Sequence, residues 1–89
     1  MKQFTAIVID KVGLHARPAS ILAKEASKYK SELKIKANGK SGNLKSIMNV
    51  MAMGIRNGAE IIIEATGADE EQALSGIKVV LLDNNVIAK

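Results

Sequence analysis

Leu33-Lys34-Ile35-Lys36-Ala37 alternates strictly between apolar and lysine side chains and runs directly into Asn38-Gly39. Successive side chains of a strand point to opposite faces, so Leu33, Ile35 and Ala37 share one face and Lys34 and Lys36 the other. One face meets a core and the other meets water. Asn-Gly is the pair that a two-residue type I′ turn prefers, because both central residues need positive φ. A short return strand over about 40–43 follows, and the sheet is at least partly antiparallel.

Two further segments have strand character. Phe4-Thr5-Ala6-Ile7-Val8-Ile9 is β-branched and apolar on both alternating faces, the pattern of a covered strand. Glu60-Ile61-Ile62-Ile63-Glu64-Ala65 reads as another, with Ile61, Ile63 and Ala65 toward the core and Glu64 outward. Ala19, Leu22, Ala23 and Ala26 recur at helical spacing, while Ser20, Lys24, Glu25 and Ser27 occupy other faces. Beyond Gly67, Asp69 and Gln72 have capping-box spacing. Ala73, Leu74, Ile77, Val80 and Leu81 then form the apolar side of a long final helix, which Gly76 weakens by about 1 kcal/mol relative to alanine. No repeat, linker or low-complexity tract interrupts the chain, so residues 1–89 are expected to form one domain.

The only histidine and the only proline fall together in Gly13-Leu14-His15-Ala16-Arg17-Pro18, just before the first helical stretch. Pro18 suits a first turn, where its missing N–H breaks no intrahelical bond, so the helix starts near Ala16. The amides of Ala16 and Arg17 are then left without partners beside the imidazole. The helix dipole places roughly half a positive charge there, and the Arg17 guanidinium can grip two oxygens at once, so the position suits phosphate. The same field disfavours imidazolium and leaves a neutral ring nitrogen able to attack phosphorus. Two readings stand: His15 is phosphorylated, or His15 caps the helix and Arg17 is an ordinary solvated charge.

Ile47-Met48-Asn49-Val50-Met51-Ala52-Met53 is apolar nearly all round, with Gly54 as a helix stop. A short helix on a single sheet buries one face, so another remains as an apolar patch. Flexible thioethers make such a patch adaptable to several partners. The competing reading places Met48, Met51 and Met53 in core gaps. Ser46, directly before this segment, can cap its first turn; it also offers a hydroxyl whose phosphorylation adds about −1.5 to −2 charges at a position the helix tolerates.

The whole chain narrows the functional classes. Lysines and arginines outnumber acids 13 to 9, a formal charge of +4 that mildly favours acidic partners. There is no cysteine, and a lone histidine does not make a transition-metal cluster, so neither metal nor cofactor is expected. With no apolar run approaching about 18 residues and no signal-peptide core, the expectation is a soluble cytoplasmic protein without membrane insertion. Phe4 and Tyr29 are the only aromatic residues, too few to stack nucleic-acid bases.

Gly13-Leu14-His15-Ala16-Arg17-Pro18-Ala19-Ser20, Asn43-Leu44-Lys45-Ser46-Ile47-Met48 and Met53-Gly54-Ile55 together resemble HPr, the histidine phosphocarrier family of the phosphoenolpyruvate-dependent sugar phosphotransferase system. The likeness spans nearly the whole chain. It implies an α+β fold, βαββαβα, in which a four-stranded antiparallel sheet of order 1-4-2-3 is covered on one side by three helices as an open-faced β-sandwich. It also implies a cycle. Phosphorylated enzyme I charges His15 on its δ1 nitrogen, and His15 passes the group to enzyme IIA proteins, so the protein is a substrate of other enzymes rather than an enzyme. Arg17 and the backbone amides of Ala16 and Arg17 steady the phosphoryl group. Ser20, Ile47, Met48 and Met51 line the docking surface, Ser46 is the site of HPr kinase/phosphorylase, and the chain acts as a monomer.

Certain positions depart from the family pattern. Val12 replaces a usually polar residue and gives backbone donors a larger share near the phosphate. Asn49 stands where glycine or lysine is frequent. Asn84-Asn85-Val86-Ile87-Ala88-Lys89 lacks the acidic tail common among relatives. The alternatives are a nucleic-acid binder, which lacks aromatic platform and GXXG clamp, a purely regulatory paralogue, which would lack the histidine, and a stand-alone acid–base enzyme, for which no second group beyond Arg17 is identifiable.

Overall fold

A computed structural model describes residues 1–88. Its elements run β1 (Lys2–Ile7), α1 (Ala16–Ala26), β2 (Glu32–Ala37), β3 (Lys40–Asn43), α2 (Ile47–Ala52), β4 (Glu60–Thr66) and α3 (Glu70–Asp83). The strands form one antiparallel sheet in the order β1-β4-β2-β3. The fold is the expected open-faced α+β arrangement.

The hairpin follows its sequence. Asn38 and Gly39 take φ of 54° and 75°, and Ala37 pairs with Lys40 across the turn. Leu33, Ile35 and Ala37 are buried while Lys34 and Lys36 stay exposed. Ile61, Ile63 and Ala65 of β4 are buried beside them, and Leu22 of α1, Val50 of α2 and Ile77 and Leu81 of α3 close the core from the helical side. Full burial of each such aliphatic side chain contributes about 1.5–3 kcal/mol. On the open face, Glu64 pairs with Lys36 at 3.1 Å.

The first strand corrects the sequence reading. It ends at Ile7, and Ile7 and Ile9 remain 41% and 43% exposed. β1 is an edge strand and the helices cover only one face of the sheet, so its second apolar row has nothing to pack on. Val8 is fully buried and forms an isolated bridge with Ile87. That bridge comes from the chain after α3. Asn85 turns at φ 56°, Asn85 and Val86 donate back to Leu82 and Leu81, and buried Val86 and Ile87 return alongside the first strand. Lys89 lies outside the described residues.

The start of α3 also differs. Asp69 is the N-cap, yet its carboxylate makes no cap bond; it accepts the Lys30 and Ser31 amides, each at 2.9 Å, and the Ser31 hydroxyl. Gln72 has no partner in a box, whereas Glu70 reaches back to the Gly67 amide at 3.1 Å. The turn after α1 thus takes the carboxylate that the spacing assigned to the helix. The Ser31 hydroxyl, followed by the Lys30 amide, holds the Asp69 carboxyl below the usual aspartate range. Its stabilisation is present above that range and is lost as pH falls through the lowered value.

Glu25, which the spacing sets off the apolar stripe of α1, is nonetheless buried. Lys28 Nζ donates to it at 2.9 Å and the Tyr29 hydroxyl at 2.7 Å. The Lys28 bond lowers the Glu25 carboxyl, and the bond to Glu25 raises the Tyr29 phenol. This cluster explains Gly76, where a Cβ would stand 1.9 Å from the Tyr29 hydroxyl oxygen. The helix gives up propensity so that α1 and α3 can approach around a satisfied polar group.

Candidate functional site

The loop between β1 and α1 is shaped by Gly13. It has φ +89°, and a Cβ there would lie 2.3 Å from the Ile55 carbonyl oxygen and 2.7 Å from the Arg56 Cα. This close approach lets the Leu14 amide donate to the Ile55 carbonyl at 2.9 Å and lets Leu14 bury its side chain. His15 follows as the N-cap of α1, with extended backbone and no side-chain cap bond. The capping alternative for its imidazole is therefore not realised.

His15 is half-buried, and its carbonyl accepts the Ala19 amide, the first bond of the helix. Pro18 is buried in the first turn. Among the described residues no hydrogen bond engages the Ala16 or Arg17 amide, which is the donor pair expected of a helix start. Arg17 is exposed, and among the described residues it makes no ion pair. With Asp10, Pro18, Ile21, Asn84 and Val86 it lines a small crevice toward the end of α3.

Asp10 is the group that sequence reasoning missed. Its Oδ1 lies 3.4 Å from His15 Nε2 and accepts the Val12 amide at 2.9 Å. Val12 itself is 67% exposed, but its N–H is already taken by Asp10. The signal was an aspartate two residues before an exposed amide in a tight loop, a pattern that makes an Asx turn. Five residues of separation concealed its nearness to the ring.

At the second expected site, Ser46 is the N-cap of α2 and its hydroxyl accepts the Asn49 amide at 3.2 Å. The Asn49 side chain also donates to that hydroxyl at 3.3 Å and accepts the Asn43 amide at 3.3 Å. Asn49 is thus a clasp on Ser46, a role the sequence did not disclose. Lys45 is tied to the Tyr29 carbonyl at 2.8 Å. Met53 is buried, whereas Ile47, Met48 and Met51 are 40%, 79% and 44% exposed. One methionine fills the core and two remain at the surface. Ser20 is exposed on α1, which packs beside α2, so these residues belong to one helical layer.

A family model described as "PTS HPr component phosphorylation site" matches residues 2–82. The chain belongs to the HPr family. It is 61% identical over 87 residues to the phosphocarrier protein HPr of Mycoplasma capricolum subsp. capricolum, an alignment covering 98% of each chain. A solved histidine-containing phosphocarrier protein, described for the divergence of Mycoplasma from Gram-positive bacteria, superposes with TM-score 0.97 at 59% identity, covering 99% of this chain and 100% of that one. An HPr dimer from Thermoanaerobacter tengcongensis superposes with TM-score 0.71 at 38% identity, covering 94% and 95% of the two chains. Membership places the chain among the HPr phosphocarriers of the phosphotransferase system. No helix is long and apolar enough to cross a membrane among the described residues.

Proposed function

We propose that this chain accepts a phosphoryl group on His15 from phosphorylated enzyme I and donates it to enzyme IIA proteins. The observation that carries this reading is the start of α1, where a half-exposed imidazole stands beside two amides and a guanidinium that have no partner among the described residues. An N-terminal anion site of this kind favours the charge of a phosphoryl group on the ring, while the single covalent link, the P–N bond, is left for the next acceptor to break. Arg17 steadies the group through paired N–H donors, helped by the Ala16 and Arg17 amides. Catalytic power lies with the partners. The chain is their covalent substrate, working as a single cytoplasmic domain and as a monomer, without cofactor or metal.

Ser20, Ile47, Met48 and Met51 form the docking surface for those partners. Exposed methionines suit a carrier that meets one donor and several acceptors, since thioethers repack against different faces. HPr kinase/phosphorylase is the partner proposed for Ser46. A phosphate there interrupts the apolar surface and repels acidic partners, and its formation requires release of the Asn49 clasp on the hydroxyl.

Mass-resolved mixing tests the cycle. Phosphorylated enzyme I should charge the chain once, and an added enzyme IIA should discharge it; a chain that charges but never discharges contradicts the carrier role. Ser46→Asp, with its fold retained, should slow charging by about threefold to tenfold through added repulsion at the docking surface. An unchanged charging rate over a range of enzyme I concentrations contradicts the regulatory role of that position.

A further inference from the structure

Asp10 is held against His15 by a bond of its own. The turn that gives its Oδ1 the Val12 amide at 2.9 Å also leaves that oxygen 3.4 Å from His15 Nε2. The Asp10 side chain is 23% exposed and that of His15 37%, so the contact is partly withdrawn from water while the ring keeps an open side. Arg17 lines the same crevice but forms no ion pair with Asp10, so the carboxylate charge is not spent on the guanidinium. An ionised carboxylate only accepts hydrogen bonds. Facing one ring nitrogen, it selects the tautomer with the proton on that nitrogen and leaves the lone pair on the other.

We propose that Asp10 is a positioning residue that keeps the proton of His15 on Nε2 throughout phosphoryl transfer, leaving Nδ1 as the attacking nitrogen. This rests on the reading of His15 as phosphoryl acceptor. The Nδ1 lone pair forms the P–N bond as the bond from phosphorus to the donor breaks and its electron pair stays with the donor. The ring then carries positive charge shared with Nε2–H, opposite the Asp10 carboxylate. In onward transfer the P–N bond breaks with its pair returning to Nδ1, and the Nε2 proton has not moved. At 3.4 Å the resting contact is longer than a formed ionic hydrogen bond. It therefore has room to tighten as ring charge develops, which stabilises the phosphorylated ring more than the resting one.

Asp10→Asn separates this role from the turn, because the amide oxygen can still accept the Val12 N–H while the charge is gone; Asp10→Ala removes both. Nitrogen-15 spectra of the His15 ring should show the Nε2–H tautomer in the parent and a smaller share of it in Asp10→Asn. Charging by phosphorylated enzyme I should slow by about threefold to tenfold in Asp10→Asn, with the unfolding midpoint unchanged. Identical ring spectra and charging rates in parent and Asp10→Asn overturn the proposal, as does a defect confined to Asp10→Ala, which marks Asp10 as a turn residue only. A parent that an active enzyme I cannot charge defeats the acceptor reading instead, and its ring spectra still respond to Asp10→Asn if the contact holds the proton.

Discussion

Gly13→Ala should destabilise the protein by about 2–4 kcal/mol and lower its thermal midpoint by roughly 10–25 °C, more than any other single methyl added to this loop. Two costs combine. The backbone stands at φ +89°, and the new Cβ would lie 2.3 Å from the Ile55 carbonyl oxygen, an atom of the main chain that cannot swing aside as a side chain can. Gly39→Ala is the internal control: φ is +75° there, but nothing lies within 4 Å of the added Cβ. It should cost about 1–2 kcal/mol from backbone strain alone. Denaturant unfolding of both variants measures the difference. Equal losses would show that the Gly13–Ile55 approach does not set the loop. Because the Leu14 amide bonds to the same Ile55 carbonyl, the clash also shifts His15 relative to the helix start, and charging should fall with stability.

Arg17→Gly should slow charging of the protein by about ten- to a hundredfold, the loss expected for charge-assisted bonds to a phosphoryl group. Folding should change far less. Arg17 is exposed and unpaired among the described residues, so its removal costs only the helix preference of a first-turn residue, at most about 1 kcal/mol. Arg17→Lys sharpens the result: it keeps the charge and loses the planar fork, and its charging rate should fall between those of parent and glycine variant. Stopped-flow charging and thermal unfolding run side by side decide the matter. A collapse of the unfolding transition matching the loss of transfer would instead make Arg17 a structural residue.

The elements legible in the sequence are those whose local pattern agrees with their surroundings. Alternation over 33–37 and the Asn38-Gly39 pair are local signals, and the hairpin forms as they dictate. Pro18 marks the first turn of α1 for the same reason. Local pattern and structure part where a distant segment competes. Asp69 has the right spacing to cap α3 but meets the turn after α1, some 38 residues away in sequence. The second row of β1 is apolar, yet only the topology makes that strand an edge with one face uncovered. Gly76 reads as a weak point of a helix until the Tyr29 hydroxyl is placed against it.

The site divides along the same line. His15, Ala16 and Arg17 are contiguous, so a helix start alone brings ring, amides and guanidinium together. Asp10 reaches the ring through the shape of a loop whose turn at Gly13 depends on contact with Ile55 and Arg56, which no local pattern encodes. The Asn49 clasp on Ser46 is local by spacing, three residues apart on a helix start, but an asparagine there equally suits a solvated face.

The most direct measurement is intact mass after the protein is mixed with enzyme I, Mg²⁺ and phosphoenolpyruvate, with His15→Ala alongside and each product then treated with acid. The parent should gain one acid-labile phosphoryl group and His15→Ala none. A parent left unmodified by a demonstrably active enzyme I, or a His15→Ala chain that still gains an acid-labile group, would contradict His15 as the carrier.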